Sequence, residues 1–320
     1  MKKITSLLFF FLWYVSISIA QDNIPVRALP TEVFRNVKKD PKDDTAQWHW
    51  KRAGVFNLNM AQGSLSNWAA GGDNFSLALS SYVNYFVLHK KGNHTWDSNL
   101  DFNFGFIQTT TGGSRKNDDR IDILSKYGYR VDTTNKLYVS ALFNFRSQFF
   151  DGLTYYSRDS SSLASTFLSP AYILLSIGMD YKPFKDFSLF LSPLTNRTTI
   201  VASKRLNNKD QYGVPAGKST YNELGAFASI NYYKPLFKNV TYKGRMDLFT
   251  NYQQKPQNVD FYMTNLFTFK INKFLSANYS LDMIYDDNVK LFGPTNDSPA
   301  LQLKSLIGIG FQMPIKVKSL

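Results

Sequence analysis

The sequence predicts an all-β fold: an antiparallel transmembrane β-barrel of about twelve strands, with short periplasmic turns and long external loops. Three observations carry the prediction. Segment after segment alternates apolar and polar residues with a period of two. The connections between segments alternate short and long. The whole follows an apolar leader of the export type.

The clearest segment runs from Trp96 to Phe106. Trp96, Leu100, Phe102, Phe104 and Phe106 share one parity, and Asp97, Asn99, Asp101 and Asn103 share the other. Side chains alternate faces along a strand, so one face is aromatic and the other acidic and amide-rich. Lipid outside and a polar lumen inside satisfy both faces at once. Bulk composition agrees. Aromatic residues make up 16% of the chain, yet mean hydropathy is only −0.27, because polar residues of the other face offset them.

Residues 1–20 read as a signal peptide. Lys2 and Lys3 form the basic start, Ile4 to Ile19 the apolar run, and Ser18 and Ala20 the small residues before a cleavage point at Gln21. Removing Lys2 and Lys3 lowers the formal charge from +13 by two, to +11. No other stretch approaches the ~20 apolar residues of a spanning helix. The chain has no cysteine, which excludes disulfide scaffolds, thiolate metal sites and cysteine nucleophiles. Residues 21–50 hold Pro25, Pro30, Pro41 and a mixed charge run from Lys38 to Asp44, with no sustained period. They read as a periplasmic linker, and residues 51–320 as the barrel.

The outward rows follow in order. Phe56, Leu58 and Met60 open the barrel, then Phe75 to Val87, then the Trp96 strand. A polar loop, 109–118, precedes Ile121, Ile123, Tyr127 and Tyr129. Leu137 to Phe149 forms the fifth row, and a long loop, 151–169, precedes Ala171 to Tyr181. Phe187, Leu189 and Leu191 begin the seventh row, where Pro193 marks a bulge or a strand end. After a polar loop at 204–218 come Leu224 to Tyr232, Val240 to Tyr252, Phe261 to Ile271, Leu275 to Met283 and Leu301 to Met313. Starting from the periplasm, odd strands end mostly in long loops and even strands in short turns. That asymmetry is expected of bacterial barrels and not of a soluble sandwich.

The segment Leu65-Ser66-Asn67-Trp68-Ala69-Ala70-Gly71-Gly72-Asp73-Asn74 resembles the most recognisable motif of the domain-of-unknown-function 3078 family. Leu191-Ser192-Pro193-Leu194, Ile284-Tyr285-Asp286-Asp287, and Leu301-Gln302 running into Ile307-Gly308-Ile309-Gly310 also look like it. The resemblance implies an outer-membrane barrel of a Gram-negative bacterium and brings no activity, cofactor or catalytic residue. The chain ends Lys316-Val317-Lys318-Ser319-Leu320, without the aromatic terminus of many such barrels.

Two groups of residues are candidates for function. In the loop motif, Asn67, Trp68, Gly71, Gly72 and Asp73 form either a plug at the barrel mouth or a plain external hairpin. In the lumen, Asp101, Lys126, Arg130, Arg146, Arg245, Asp282 and Lys304 point inward. Antiparallel pairing is expected to bring Asp101 near Lys126 and Asp282 near Lys304. Mixed signs predict weak ion selectivity. Only His49, His89 and His94 are present, and none is placed beside a serine at bilayer depth, which argues against a hydrolase. No cofactor or metal is expected. Positive charge is spread along the chain, so nucleic acid is not an expected partner. The expected partners are outer-membrane lipid, small solutes and other envelope proteins.

Overall fold

The computed structural model describes residues 50–64, 74–155, 160–184, 186–208, 212–272, 274–286 and 298–316. The leader at 1–20, nearly all of the linker at 21–50, and the motif residues Asn67, Trp68, Gly71, Gly72 and Asp73 lie outside these.

Every regular element among the described residues is a strand. In chain order they are β1 (Trp50–Ser64), β2 (Phe75–Lys91), β3 (His94–Thr109), β4 (Gly113–Arg130), β5 (Leu137–Ser147), β6 (Gly152–Tyr155) and β7 (Ser161–Ser165). Then come β8 (Ala171–Tyr181), β9 (Phe187–Ile200), β10 (Thr220–Phe237), β11 (Val240–Asn251), β12 (Asp260–Lys270), β13 (Leu275–Tyr285) and β14 (Gln302–Lys316). Twelve of them close a ring in the order β1-β14-β13-β12-β11-β10-β9-β8-β5-β4-β3-β2, and β6 and β7 form a separate hairpin. Each barrel strand pairs antiparallel with both neighbours, so the ring buries backbone donors and acceptors without a free edge along most of its wall.

The period of two decides which residues face out. On β8, Leu175, Ile177 and Met179 are about half exposed, whereas Leu174, Ser176 and Asp180 between them are buried. A wall of exposed Leu, Ile and Phe is tolerable only against lipid. At the short-turn rim the exposed residues become Trp50, Trp96, Tyr127, Tyr129 and Tyr181, the amphipathic rings suited to a membrane interface. Trp96 shows why: its ring lies on the wall while Nε1 donates to Ser125 Oγ at 2.7 Å.

Pro193 marks a bulge, and the strand runs through it to Ile200. The register passes from Ser192↔Phe227 to Thr195↔Gly225, so Pro193 and Leu194 together oppose Ala226. On the other side Gly178 faces the same bulge. A Cβ there would meet the Leu191 carbonyl oxygen at 2.1 Å, so only glycine fits. The extra residue reverses the parity of β9. Ser188, Phe190 and Ser192 face inward before it, and Thr195, Arg197 and Thr199 after it.

Three expected loops differ. The polar stretch 109–118 is mostly strand: β3 and β4 continue to a turn at residues 110–112, with Gly113 at φ +68° and a register shift beside Gly105. Polar side chains do not prevent pairing where the hairpin projects beyond the membrane. The connections at 148–170 and 201–219 are not simply polar. β6 and β7 pack on residues 201–208 and 212–214, and Leu163, Val201, Leu206, Tyr212 and Val214 make a small buried core over the long-connection rim. Tyr212 donates its hydroxyl to the Ala164 carbonyl. Burial, with Tyr172 nearby, pushes this phenol well above its usual range, so it remains a donor.

The turn at 131–136 is built on Asp132. Its carboxylate accepts from the backbone N–H of Thr134, Lys136 and Leu137 at 3.0–3.2 Å and from the Thr134 hydroxyl. These bonds, the hydroxyl first, lower its pKa from 3.8 to about 2. A depressed carboxyl stabilises the turn fully above its unfolded value and loses that contribution as pH falls through the folded one. The Asp132 carboxyl is therefore expected to titrate near pH 2 by NMR. A midpoint near 3.8 would show that the turn does not hold it.

Candidate functional site

The inner face of the barrel is the site that the alternation creates. It is not uniformly polar. Seven strands from β4 to β12 each contribute one buried apolar side chain: Leu124, Leu142, Leu174, Phe190, Phe227, Phe249 and Tyr262, with Ile284 of β13 packed against them. They form a dry layer inside the barrel. Phe190 and Phe249 are 0% and 1% exposed. The polar lumen expected from the sequence thus carries an apolar layer as well. The residues had the inward parity in the sequence, but charged neighbours such as Asp122 and Lys126, on either side of Leu124, dominated the pattern.

Ion pairs border this layer. Towards the long connections, Arg197 Nε donates to Glu223 Oε2 and Nη2 to Asp260 Oδ2, both at 2.9 Å. Its guanidinium carbon lies 4.1 Å from the centroid of the Phe249 ring, so the ion cluster sits directly on the apolar layer. Asn251 Nδ2 also donates to Glu223, at 3.2 Å. Nearby on β4 and β5, Arg146 donates through Nε and Nη2 to Asp122 Oδ2 at 3.1 and 2.8 Å. Towards the short turns, Lys126 Nζ reaches Asp180 Oδ2 at 2.9 Å, and Ser188 Oγ donates to Asp180 Oδ1 at 2.7 Å. Arg245 Nε donates to Asp247 Oδ1 at 2.8 Å.

The candidate lumen residues therefore separate. Lys126, Arg146 and Arg245 are buried inside the barrel in ion pairs. Asp101 is also buried inside, but not beside Lys126. The register sets Asp101 against Asp122 and Lys126 against Asp97, four residues away from the expected pairing. Asp101 instead accepts from Tyr82 at 2.5 Å and Asn84 at 2.7 Å. Strand pairing is fixed by the whole hairpin, and no single pair of opposite charges can shift it. Asp282 does face Lys304 in register. Arg130 lies at the short-turn rim, where its guanidinium donates to the side chains of Asn93 and Asn135 and ties two turns together.

Sequence reasoning missed Asp180, Arg197 and Asp260. Asp180 and Asp260 were legible from parity, one residue from the outward Met179 and Phe261. Arg197 was not, because the bulge at Pro193 reverses its face.

The remaining lumen wall differs in kind. The inward rows of β1, β2, β13 and β14 include Asn59, Ser80, Asn278, Ser280 and Gly308, which keep part of their surface accessible, beside the bulkier Tyr82, Phe86 and Leu88 of β2. The lumen is thus filled on the β4–β12 side and more open on the other.

Comparison with known proteins adds a family. Residues 60–153 match the model of a family described as a protein of unknown function (DUF3078). The DUF3078 match runs from the end of β1 to β6 and includes the motif at 65–74. No curated protein sequence matches the chain. Among solved structures, the translocator domain of autotransporter NalP from Neisseria meningitidis is 10% identical, with a TM-score of 0.39 over 86% of this chain and 90% of that one. The COG4313 outer membrane channel from Pseudomonas putida F1 is 8% identical, with a TM-score of 0.40 over 86% and 99%. These likenesses are slight, and the reading of the lumen rests on its own register and contacts. That register is the one of an antiparallel transmembrane β-barrel.

Arg197 is 2% exposed and joins β9 to β10 and β12. Removing one partner of a buried ion cluster costs about 3–5 kcal/mol, because the partners stay buried and charged. Arg197→Ala is expected to lose about that much in urea unfolding of the reconstituted barrel, and adding Glu223→Gln with Asp260→Asn to recover part of it. A loss of under about 1 kcal/mol would place the cluster with weak surface pairs.

Proposed function

We propose that this chain is an outer-membrane barrel of a Gram-negative bacterium that acts as a narrow passive channel for small solutes. Residues 1–20 direct export and are removed, residues 21–50 form a periplasmic linker, and residues 51–320 make the barrel in outer-membrane lipid. The observation that carries the reading is the asymmetry of the lumen. One side is sealed by the apolar layer and its ion pairs. The other carries Asn59, Ser80, Asn278, Ser280 and Gly308 with accessible surface. Solutes would pass along the amide-lined side, with the buried pairs keeping the filled side rigid. Charges of both signs line the lumen, so selectivity between small anions and cations is weak. Asn67, Trp68, Gly71, Gly72 and Asp73 would stand at the external mouth of this path, since they join β1 to β2.

A second reading is favoured by the completeness of the seal around Phe190 and Phe249 and by the small core over the rim. In it the barrel does not conduct and serves as an accessory subunit of an envelope complex. Its contacts would be the long connections and residues 21–50.

Planar-bilayer recording separates the two. The channel reading expects small, discrete current steps from the purified protein, and smaller ones from Ser280→Trp, which narrows the amide-lined side. No current from folded, inserted protein would leave the accessory reading. Equal steps from wild type and Ser280→Trp would move the path elsewhere.

A further inference from the structure

Among the described residues, the hydrogen-bonded wall has one interruption. β1 pairs with β2 along its whole length, from Trp50↔His89 to Ser64↔Phe75. On its other edge it pairs with β14 only from Ala53↔Lys316 to Asn59↔Gly310. Both strands continue upward from there. β1 runs on to Ser64, and β14 runs back to Gln302 while paired to β13. At the other barrel seams, pairing runs to within a residue or two of the end of one strand. Five unpaired residues of β1, at about 3.3 Å each, make a slit about 17 Å long that opens toward the long-connection rim.

The two sides of the slit differ chemically. Its inner side carries little bulk. Gly308 faces inward there, and a Cβ added at it would meet nothing nearer than Asn59 at 4.0 Å, whereas Gly310, the last paired residue, lies against Asn59. The side-chain oxygens of Asn57 and Asn59 have no hydrogen-bond partner. Its outer lips are apolar, with Met60 67% and Ile309 64% exposed. Acyl chains offer no partner to an unpaired backbone N–H or C=O. An occupant must therefore bring hydrogen-bonding groups to the inner side and an apolar chain to the outer one.

We propose that the upper β1–β14 seam is a lateral aperture through which a single-chain amphiphile passes between the bilayer and the lumen. The inference deepens the channel reading and rests on the lumen being open on the side behind this seam. Asn57 and Asn59 would bind the polar head, while the chain leaves between Met60 and Ile309. An added strand from another polypeptide would also satisfy the edges. The slit is only five residues long and bounded on both sides by the same chain, which favours the small molecule.

The test uses the full barrel in vesicles and a fluorescent lysophosphatidylcholine, whose movement between leaflets is read by extraction with albumin. Continuing the β1–β14 register past Asn59↔Gly310 sets Gln62 against Ile307. The chain has no native cysteine, so Gln62→Cys with Ile307→Cys closes the seam on oxidation. Wild type is expected to move the probe several-fold faster than protein-free vesicles. Oxidising the double variant should abolish the gain, reductant should restore it, and the ion current should persist throughout. Transfer no faster than in protein-free vesicles, or unchanged by a verified disulfide, overturns the proposal. Cross-links between two copies in place of one within the chain also overturn it, in favour of strand addition. If the double variant does not fold, Gly308→Leu supplies the test, because it fills the inner side of the slit. It should slow transfer, and unchanged transfer counts against the aperture. Transfer without any ion current would support the aperture while removing the ion-channel reading.

Discussion

A backbone amide in lipid has no partner except another strand, and the architecture follows from that constraint. It requires the ring of twelve strands and antiparallel pairing on both edges of each. It explains why the bulge at Pro193 lies opposite Gly178: the ladder tolerates an extra residue only where the facing strand has no side chain to collide with it. It also makes the β1–β14 seam stand out, because there two strands run side by side without the pairing that lipid demands.

Closing the ring creates an interior that must be filled or wetted. A twelve-stranded barrel is narrower than an open porin, and side chains occupy much of its interior. On the β4–β12 side they form layers, with the Arg197 and Arg146 clusters towards the long connections, then the apolar residues, then Lys126 with Asp180. Burying these charges is unfavourable unless each is paired. Here Asp180 takes Lys126 and Ser188, and Arg197 takes two carboxylates and an aromatic face. The clusters tie strands that are distant in the chain, as Arg197 does between β9 and β12. On the β1, β2, β13 and β14 side the inward rows include Asn59, Ser80, Asn278, Ser280 and Gly308, small or amide-bearing residues that keep accessible surface.

Much of this was legible in the residues. The parity of Trp96 to Phe106, of Ala171 to Tyr181 and of Leu275 to Met283 assigned faces correctly, because a period of two needs no tertiary information. Loop lengths assigned the rims, except at 109–118, where polar residues continue a hairpin beyond the membrane. Among candidate lumen residues, Lys126, Arg146 and Arg245 lie buried in ion pairs whose partners were not legible. Lys126 finds Asp180, 54 positions away, across β5, and no local pattern records that pairing. Arg197 was hidden because one bulge reverses every face that follows it.

The sequence by itself determined that this chain alternates, that about twelve strands make the wall, and which side chains of the unbulged strands turn from lipid. Those properties are local, set by a backbone that points successive residues in opposite directions. Only the tertiary structure decided the register, the ion pairs, the dry layer and the gap in the wall. Each depends on the stagger between strands far apart in the chain, and stagger is fixed only when the ring closes and every strand must fit two neighbours at once.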